Sequence, residues 1–336
     1  MFSPFTLLLT TTITAAAATP LLPRAGRTTP PEGCLTVGGS GTYSTLQSAV
    51  NALSPSTTTA QCIFIYAGTY KEQVSITTAL KSSLTLYGET PDTSSYSANT
   101  VTITQSKSQD DGVGNDETAT LRAHTTDFSV YNINLVNTRG QGSQALALSA
   151  QADRQGYYGC QFRGFQDTVL ANEGAQVYAK SYIEGATDFI FGQRGKAWFD
   201  GVDIRVVAAS VGYITASGRE SADDGSWYVI NKSTVAAKSG DSVGDGVYYL
   251  GRPWREYARV VFQNTDLSSV INGAGWKVWN AGDERTSGVE FGEFGNTGAG
   301  AQGTRASFSE KLAQAVGIET VLGSGYADWV DAEYLS

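Results

Sequence analysis

The chain has 336 residues, enough for a large core in one domain or two, and 38 Gly, a single Met and 16% charged residues suit a soluble β-rich protein punctuated by turns. Formal net charge is -9, with a sequence pI near 4.7, which argues against nucleic acid or an anionic membrane as partner. One His, 3 Cys and no CxxC pair leave zinc without a plausible ligand set, so no metal site is expected.

The chain opens on "MFSPFTLLLTTTITAAAATP", a short apolar stretch ending in Ala16, Ala17 and Ala18. This pattern suits a signal peptide over 1–18, although no Lys or Arg precedes Arg24; the stretch is too short to span a bilayer. A secreted, extracellular protein is expected, with an extension over 19–32 and a single domain over 33–336. Asn231-Lys232-Ser233 is the one glycosylation sequon. A bond between Cys34 and Cys62 is open to the chain in an oxidising compartment, whereas Cys160 reads as a buried free thiol.

"TYSTLQSAVNAL" predicts a helix over Ser44 to Leu53, with Leu46, Val50 and Leu53 at helical spacing and Ser44 and Gln47 as a capping box. From Cys62 onward short runs such as "CIFIYAG", "LTLYGE", "FSVYNINLV" and "GYYGCQFRGF" alternate with Gly, Asn, Asp and Ser, and no ordinary amphipathic helix is evident before "SFSEKLAQAVGI". The runs end in a small or amide residue at Asn132, Gly159, Ser181, Asn231 and Asn264, at intervals matching a coil of three short strands. The expected fold is therefore all-β, a right-handed parallel β-helix capped by the short N-terminal helix. Stacked coils of this kind can be stable as a monomer.

Gln144 lies 22 residues before Gln166, and Asp188 lies 22 after it. Coils of that length would stack the three on successive rungs about 4.8 Å apart, with Asp167 beside the middle one. A Gln pair alone would fit a ladder that only satisfies itself. Two carboxylates beside it call for a cation, since like charges raise one pKa. Arg252 of "YYLGRPWREYARV" falls about two rungs, or roughly 10 Å, from Asp188 if "GYITASGRES" and "SWYVINKSTV" share one coil. Trp254 offers a flat face suited to a sugar or to core packing.

These stretches resemble the pectin methylesterases, or pectinesterases, and the fungal members most. The matches are "GTYKEQV" at Gly68 to Val74, "QALAL" at Gln144 to Leu148, "QDTV" at Gln166 to Val169, "DFIFG" at Asp188 to Gly192 and "LGRPW" at Leu250 to Trp254. The resemblance implies a right-handed parallel β-helix that hydrolyses galacturonate methyl esters in pectin without a cofactor. It implies Asp188 as nucleophile, Asp167 as the acid that becomes the base, Gln144 and Gln166 as oxyanion donors, and Arg252 and Trp254 as residues that orient Asp188 and the sugar. Arg252 is expected to lower the Asp188 pKa. Leu170 stands where many plant members have Tyr, so an aromatic wall would be missing or supplied from elsewhere; Phe191 and Trp276 of "GWKVWN" are the expected aromatic contacts, with Phe191 equally suited to the core. The low pI and single His suggest activity at mildly acidic pH.

A pectate lyase or polygalacturonase on the same fold would want calcium-binding carboxylates and a basic residue, or clustered Asp with a His. His124, the only His, lies outside every matched stretch and reads as structural. No G-x-S-x-G occurs, which disfavours a serine esterase. A non-catalytic wall-binding β-helix would be expected to have lost one of Gln144, Gln166, Asp167, Asp188 or Arg252.

Overall fold

The computed structural model describes residues 25–336; the expected signal segment and the first part of the extension lie outside the described residues. The named strands pair in parallel, and most coils supply three of them. One such coil is Thr187–Gly192, Arg194–Asp200 and Asp203–Val206; the next is Gly212–Ser217, Trp227–Asn231 and Thr234–Ala237. The fold is a right-handed parallel β-helix.

Inward side chains stack rung on rung. Tyr157, Tyr178, Phe199, Ile230 and Phe262 form one register column. The Tyr157–Tyr178 and Tyr178–Phe199 ring centroids are 4.9 and 4.5 Å apart, the strand spacing itself. Phe162, Ile183, Ile204, Val235 and Leu267 make a second column on the other sheet.

From the coil that contains Asn132 onward, the second and third strands are joined through a residue of positive φ: Asn132, Gly159, Lys180, Gly201, Lys232, Asn264 and Gly295, at φ from 46 to 61°. Three of the five expected turn residues occupy this position. Ser181 and Asn231 do not: each stands beside a turn lysine, and both are buried. The Ser181 hydroxyl receives the Cys160 N–H at 3.0 Å, so the small polar residue satisfies the backbone next to the turn rather than making it.

The N-terminal helix is shorter than expected, Leu46–Asn51, and its cap is Thr45, whose hydroxyl accepts from Ser48 N at 3.2 Å. Gln47 takes no part in a capping box, because its side-chain oxygen accepts from Ser75 N at 2.7 Å on the neighbouring strand. The Glu72 carboxylate instead receives the N–H groups of Leu46 and Gln47, at 2.8 and 2.9 Å. Near the other end, Ser309–Lys311 of "SFSEKLAQAVGI" is a strand against Phe291 to Glu293, and the helix begins later, at Ile318–Leu322. The open edge of the last coil supplies backbone partners that local helix propensity cannot match.

Cys34 and Cys62 form a disulfide that ties the first two paired strands; closing a loop of 28 residues constrains the unfolded chain by about 3.6 kcal/mol. Cys160 is free and fully buried. Among the described residues no helix is long and apolar enough to cross a membrane.

Candidate active site

Ordinary alternation puts every second residue of a strand on the outer face. Along Thr187–Gly192 that alternation breaks: Phe189 and Ile190 are adjacent, yet both are core residues. The register against the next coil shifts between Thr187 and Ile190, and Asp188 has φ 50°. This is a β-bulge, and it turns Asp188 and Phe191 outward. Asp167 has φ 62°, also left-handed, just before Val169 enters the core. A left-handed backbone is uncommon outside Gly and is tolerated best by Asn and Asp, so both carboxylates sit at locally strained points held by the coils around them.

The bulge also changes the expected ladder. Gln166 bridges Thr187, not Asp188. The Asp167 N–H donates to the Thr187 carbonyl at 3.1 Å, which sets Asp167 beside Asp188. Gln144 stays next to Gln166, since the Ala145 N–H donates to the Gln166 carbonyl at 3.2 Å. Two rungs beyond Asp188 comes Arg252, through the register Ile190, Thr215, Gly251. It reaches back to hold both oxygens of Asp188, Nε to Oδ1 at 2.9 Å and a terminal nitrogen to Oδ2 at 2.7 Å. The guanidinium lies between two rings, 4.1 Å from the Tyr213 centroid and 4.2 Å from that of Trp279.

These groups line one cavity of about 250 Å³: Asn115, Gln144, Gln166, Asp167, Asp188, Phe191, Ala216, Arg252, Trp254 and Trp279. Its apolar side is a row on the outer sheet surface, Leu170, Phe191 and Ala216 in register, with Trp254 packed against it. The Phe191 and Trp254 rings are 6.1 Å apart. Among the described residues neither the Gln144 nor the Gln166 side-chain amide has a protein partner, so both are free to bind a ligand.

Asp167 and Asp188 are each only 7% exposed. Burial pushes Asp167 well above the usual carboxylate range, and the neighbouring Asp188 charge pushes it further; the Asn115 amide and Arg252 oppose this only in part. Asp188 is also raised by burial, with Arg252 pulling it back. The expected lowering of Asp188 is therefore outweighed by desolvation. The asymmetry survives, because Arg252 engages Asp188 in two hydrogen bonds and touches Asp167 through space alone: Asp188 is the carboxyl that ionises first.

A family model described as Pectinesterase matches residues 34–313. A pectinesterase from Aspergillus aculeatus is 56% identical over 314 residues, covering 92% of this chain and 95% of the relative. The chain belongs to the pectinesterase family. A second pectinesterase, from Aspergillus niger, is 52% identical over 93% of this chain and 95% of its own length. Among solved structures, a pectin methylesterase from Aspergillus niger superposes with a TM-score of 0.86 at 45% identity, over 92% of this chain and 100% of that one. Pectin methylesterase from carrot does so at 0.81 and 29%, over 92% and 98%. As a pectinesterase the protein is a carboxylic ester hydrolase.

Six of the expected site residues of this pectinesterase, Gln144, Gln166, Asp167, Asp188, Arg252 and Trp254, meet in the cavity, and Phe191 joins them. Trp276 does not. It is 1% exposed and stacks on Phe291 with centroids 4.3 Å apart. Trp279, three residues later in the same "GWKVWN", is the ring that reaches the cleft and supplies an aromatic wall. Asn115 and Tyr213 complete the surroundings without any local mark in the sequence: packing brings Asn115 to Asp167 and the Tyr213 ring to Arg252. Asn231 of the sequon is 6% exposed, with its amide nitrogen on Asp200 at 2.9 Å and its oxygen accepting from Gln263 at 3.1 Å, a geometry that leaves no room for a glycan. His124 pairs with Asp116 at 2.9 Å, outside the cavity.

Proposed function

We propose that this protein hydrolyses the methyl esters of galacturonate units in pectin, giving methanol and demethylated pectin, through a covalent intermediate on Asp188. The observation that carries the reading is the buried carboxyl pair in which Arg252 clamps Asp188 alone. The clamp keeps Asp188 ionised beside an Asp167 that retains its proton, which gives a nucleophile and a general acid side by side.

A carboxylate oxygen of Asp188 adds to the ester carbonyl, and the oxygen that becomes negative takes hydrogen bonds from the unpartnered Gln144 and Gln166 amides, each worth a few kcal/mol when well aimed (about 3 kcal/mol). Collapse breaks the C–OCH₃ bond; the methoxide takes the Asp167 proton and leaves as methanol. Asp167, now a carboxylate, removes a proton from water as that water adds to the acyl carbon. The acyl–Asp188 bond then breaks, and both carboxyls return to their starting states. Phe191 and Trp254, with ring planes inclined at 55°, give the sugar an apolar wall beside Ala216.

Activity needs Asp188 ionised and Asp167 protonated, so it rises with pH through the Asp188 titration and falls through that of Asp167. The acidic surface, with its net charge of -9, favours release of a polyanionic product. The Cys34–Cys62 disulfide and the apolar, Ala-ended start of the chain support secretion, for action on plant cell-wall pectin.

The test is methanol release from highly esterified pectin, with and without chelator, by the wild type and by Asp188→Ala. Release by the wild type and none by the variant is expected; unchanged release by the variant overturns the reading.

A further inference from the structure

One side-chain contact to Asp167 has no part in the scheme above. Asn115 Nδ2 donates to Asp167 Oδ2 at 3.3 Å, and the Asn115 side-chain oxygen Oδ1 accepts from Gln109 Nε2 at 2.6 Å. With its oxygen engaged by Gln109, the amide presents its N–H edge to the carboxyl.

The backbone carrying Asn115 is fixed from several sides. Thr118 Oγ1 donates to the Asn115 carbonyl at 2.8 Å and receives the Leu146 N–H at 3.2 Å, two residues from Gln144. The Thr118 carbonyl takes the amides of Gln105 and Asn137, at 2.8 and 3.2 Å. Asp116, the next residue, is held by Arg122 Nε at 3.0 Å and by His124 at 2.9 Å. On the same segment the Gln109 N–H donates to the Gln144 carbonyl at 3.1 Å. One loop thus places a donor on the acid and braces the main chain of an oxyanion residue.

Resting on the acid–base role proposed for Asp167, we propose that Asn115 is a positioning residue of the reaction: by donating to Oδ2 it leaves Oδ1 as the oxygen that gives the proton to the leaving group and takes one back from water. An N–H aimed at an oxygen excludes a hydroxyl proton from the same direction, so the neutral acid carries its proton on the other oxygen. When the proton leaves, the same N–H becomes a hydrogen bond to a charged acceptor and strengthens. Asn115 therefore aims the acid and stabilises the carboxylate it turns into.

The groups that face Asp167 are Asp188, Arg252 and Asn115; Asp188 raises its pKa, while Asn115 and Arg252 lower it. Losing the Asn115 donor moves the alkaline limb of activity to higher pH, where a merely structural defect would leave it in place. The experiment measures kcat and KM for methanol release against pH in the wild type, Asn115→Ala and Gln109→Ala. For Asn115→Ala, kcat is expected to fall roughly 10- to 100-fold, KM to stay within about two-fold, and the alkaline limb to rise. Gln109→Ala, which frees the Asn115 amide to turn, should shift the limb the same way by less, and it serves should Asn115→Ala fail to fold. Unchanged kcat, or a fall with the limb in place, overturns the assignment while leaving the esterase reading intact. Absence of methanol from the wild type overturns both.

Discussion

The protein buries carboxylates in two kinds of place. Asp200, 3% exposed, receives Trp198 Nε1 at 3.0 Å, Asn231 Nδ2 at 2.9 Å and the Ser336 N–H at 2.7 Å. Glu184, 5% exposed, takes the Tyr182 hydroxyl at 2.7 Å and Lys238 at 3.1 Å, with Arg163 at 3.4 Å. In the cleft, Asp167 has a single amide at 3.3 Å and a second carboxylate for neighbour, and Asp188 depends on one arginine. Burial is the same in both regions, but satisfaction is not. A carboxylate with its lone pairs filled is part of the fold; one left short, on a left-handed backbone and facing a cavity, keeps its proton or its charge available for chemistry.

Removing a carboxylate from each region should sort these roles. The largest effect is expected for Asp188→Ala: a loss of at least ~10⁴-fold in kcat, about 5.5 kcal/mol, with the fold retained. Methanol release alongside calorimetry checks it. Arg252→Met should cost roughly 10²- to 10³-fold in kcat/KM, and because Arg252 holds Asp188 down, the acidic limb of kcat against pH should move to higher pH. A limb that stays put would mean that the clamp does not govern the Asp188 charge.

On the structural side, Asp200→Ala should destabilise by about 3 kcal/mol, since three donors lose their acceptor, while kcat stays within about two-fold. Denaturant unfolding and a rate assay decide this, and a large fall in kcat would erase the contrast between the regions. Asp167→Asn carries the smallest stability effect, but of opposite sign. The folded-state pKa of Asp167 is raised, so its contribution to stability is whole at low pH and is lost as pH rises through the folded value. Asn never ionises and tolerates positive φ. The variant should match the wild type near pH 4 and exceed it increasingly as pH rises toward 7, read as a gap in unfolding midpoints that opens with pH. A gap that closes with rising pH would reverse the assignment of Asp167 as the proton holder.

The fold was legible because a solenoid repeats its own constraint: each run of alternating apolar residues ended by Asn, Gly or Ser marks one strand of one coil, and Asn132, Gly159 and Asn264 are turn residues in the structure. Ser181 and Asn231 misled because their turns use Lys180 and Lys232, residues that nothing local marks for a left-handed backbone. The stacking of Gln144, Gln166 and Asp188 was approximately right and failed by one residue, because a bulge is a pairing property, visible only when Thr187 meets Gln166. Trp276 and Trp279 share one short stretch, and no periodicity distinguishes the ring that stacks on Phe291 from the ring that covers Arg252.

By itself the sequence determined the parallel β-helix, the two aspartates with their glutamines, and the arginine two coils away, since those depend on spacing and residue type. Only the tertiary structure decided that burial raises both carboxyls, where Asn115 and Trp279 stand, that Cys34 and Cys62 are joined, and that the sequon Asn231 is buried. The physical reason is that desolvation, clamp geometry and bulges are relations between rungs, and residues far apart along the chain share a rung only once the coils have stacked.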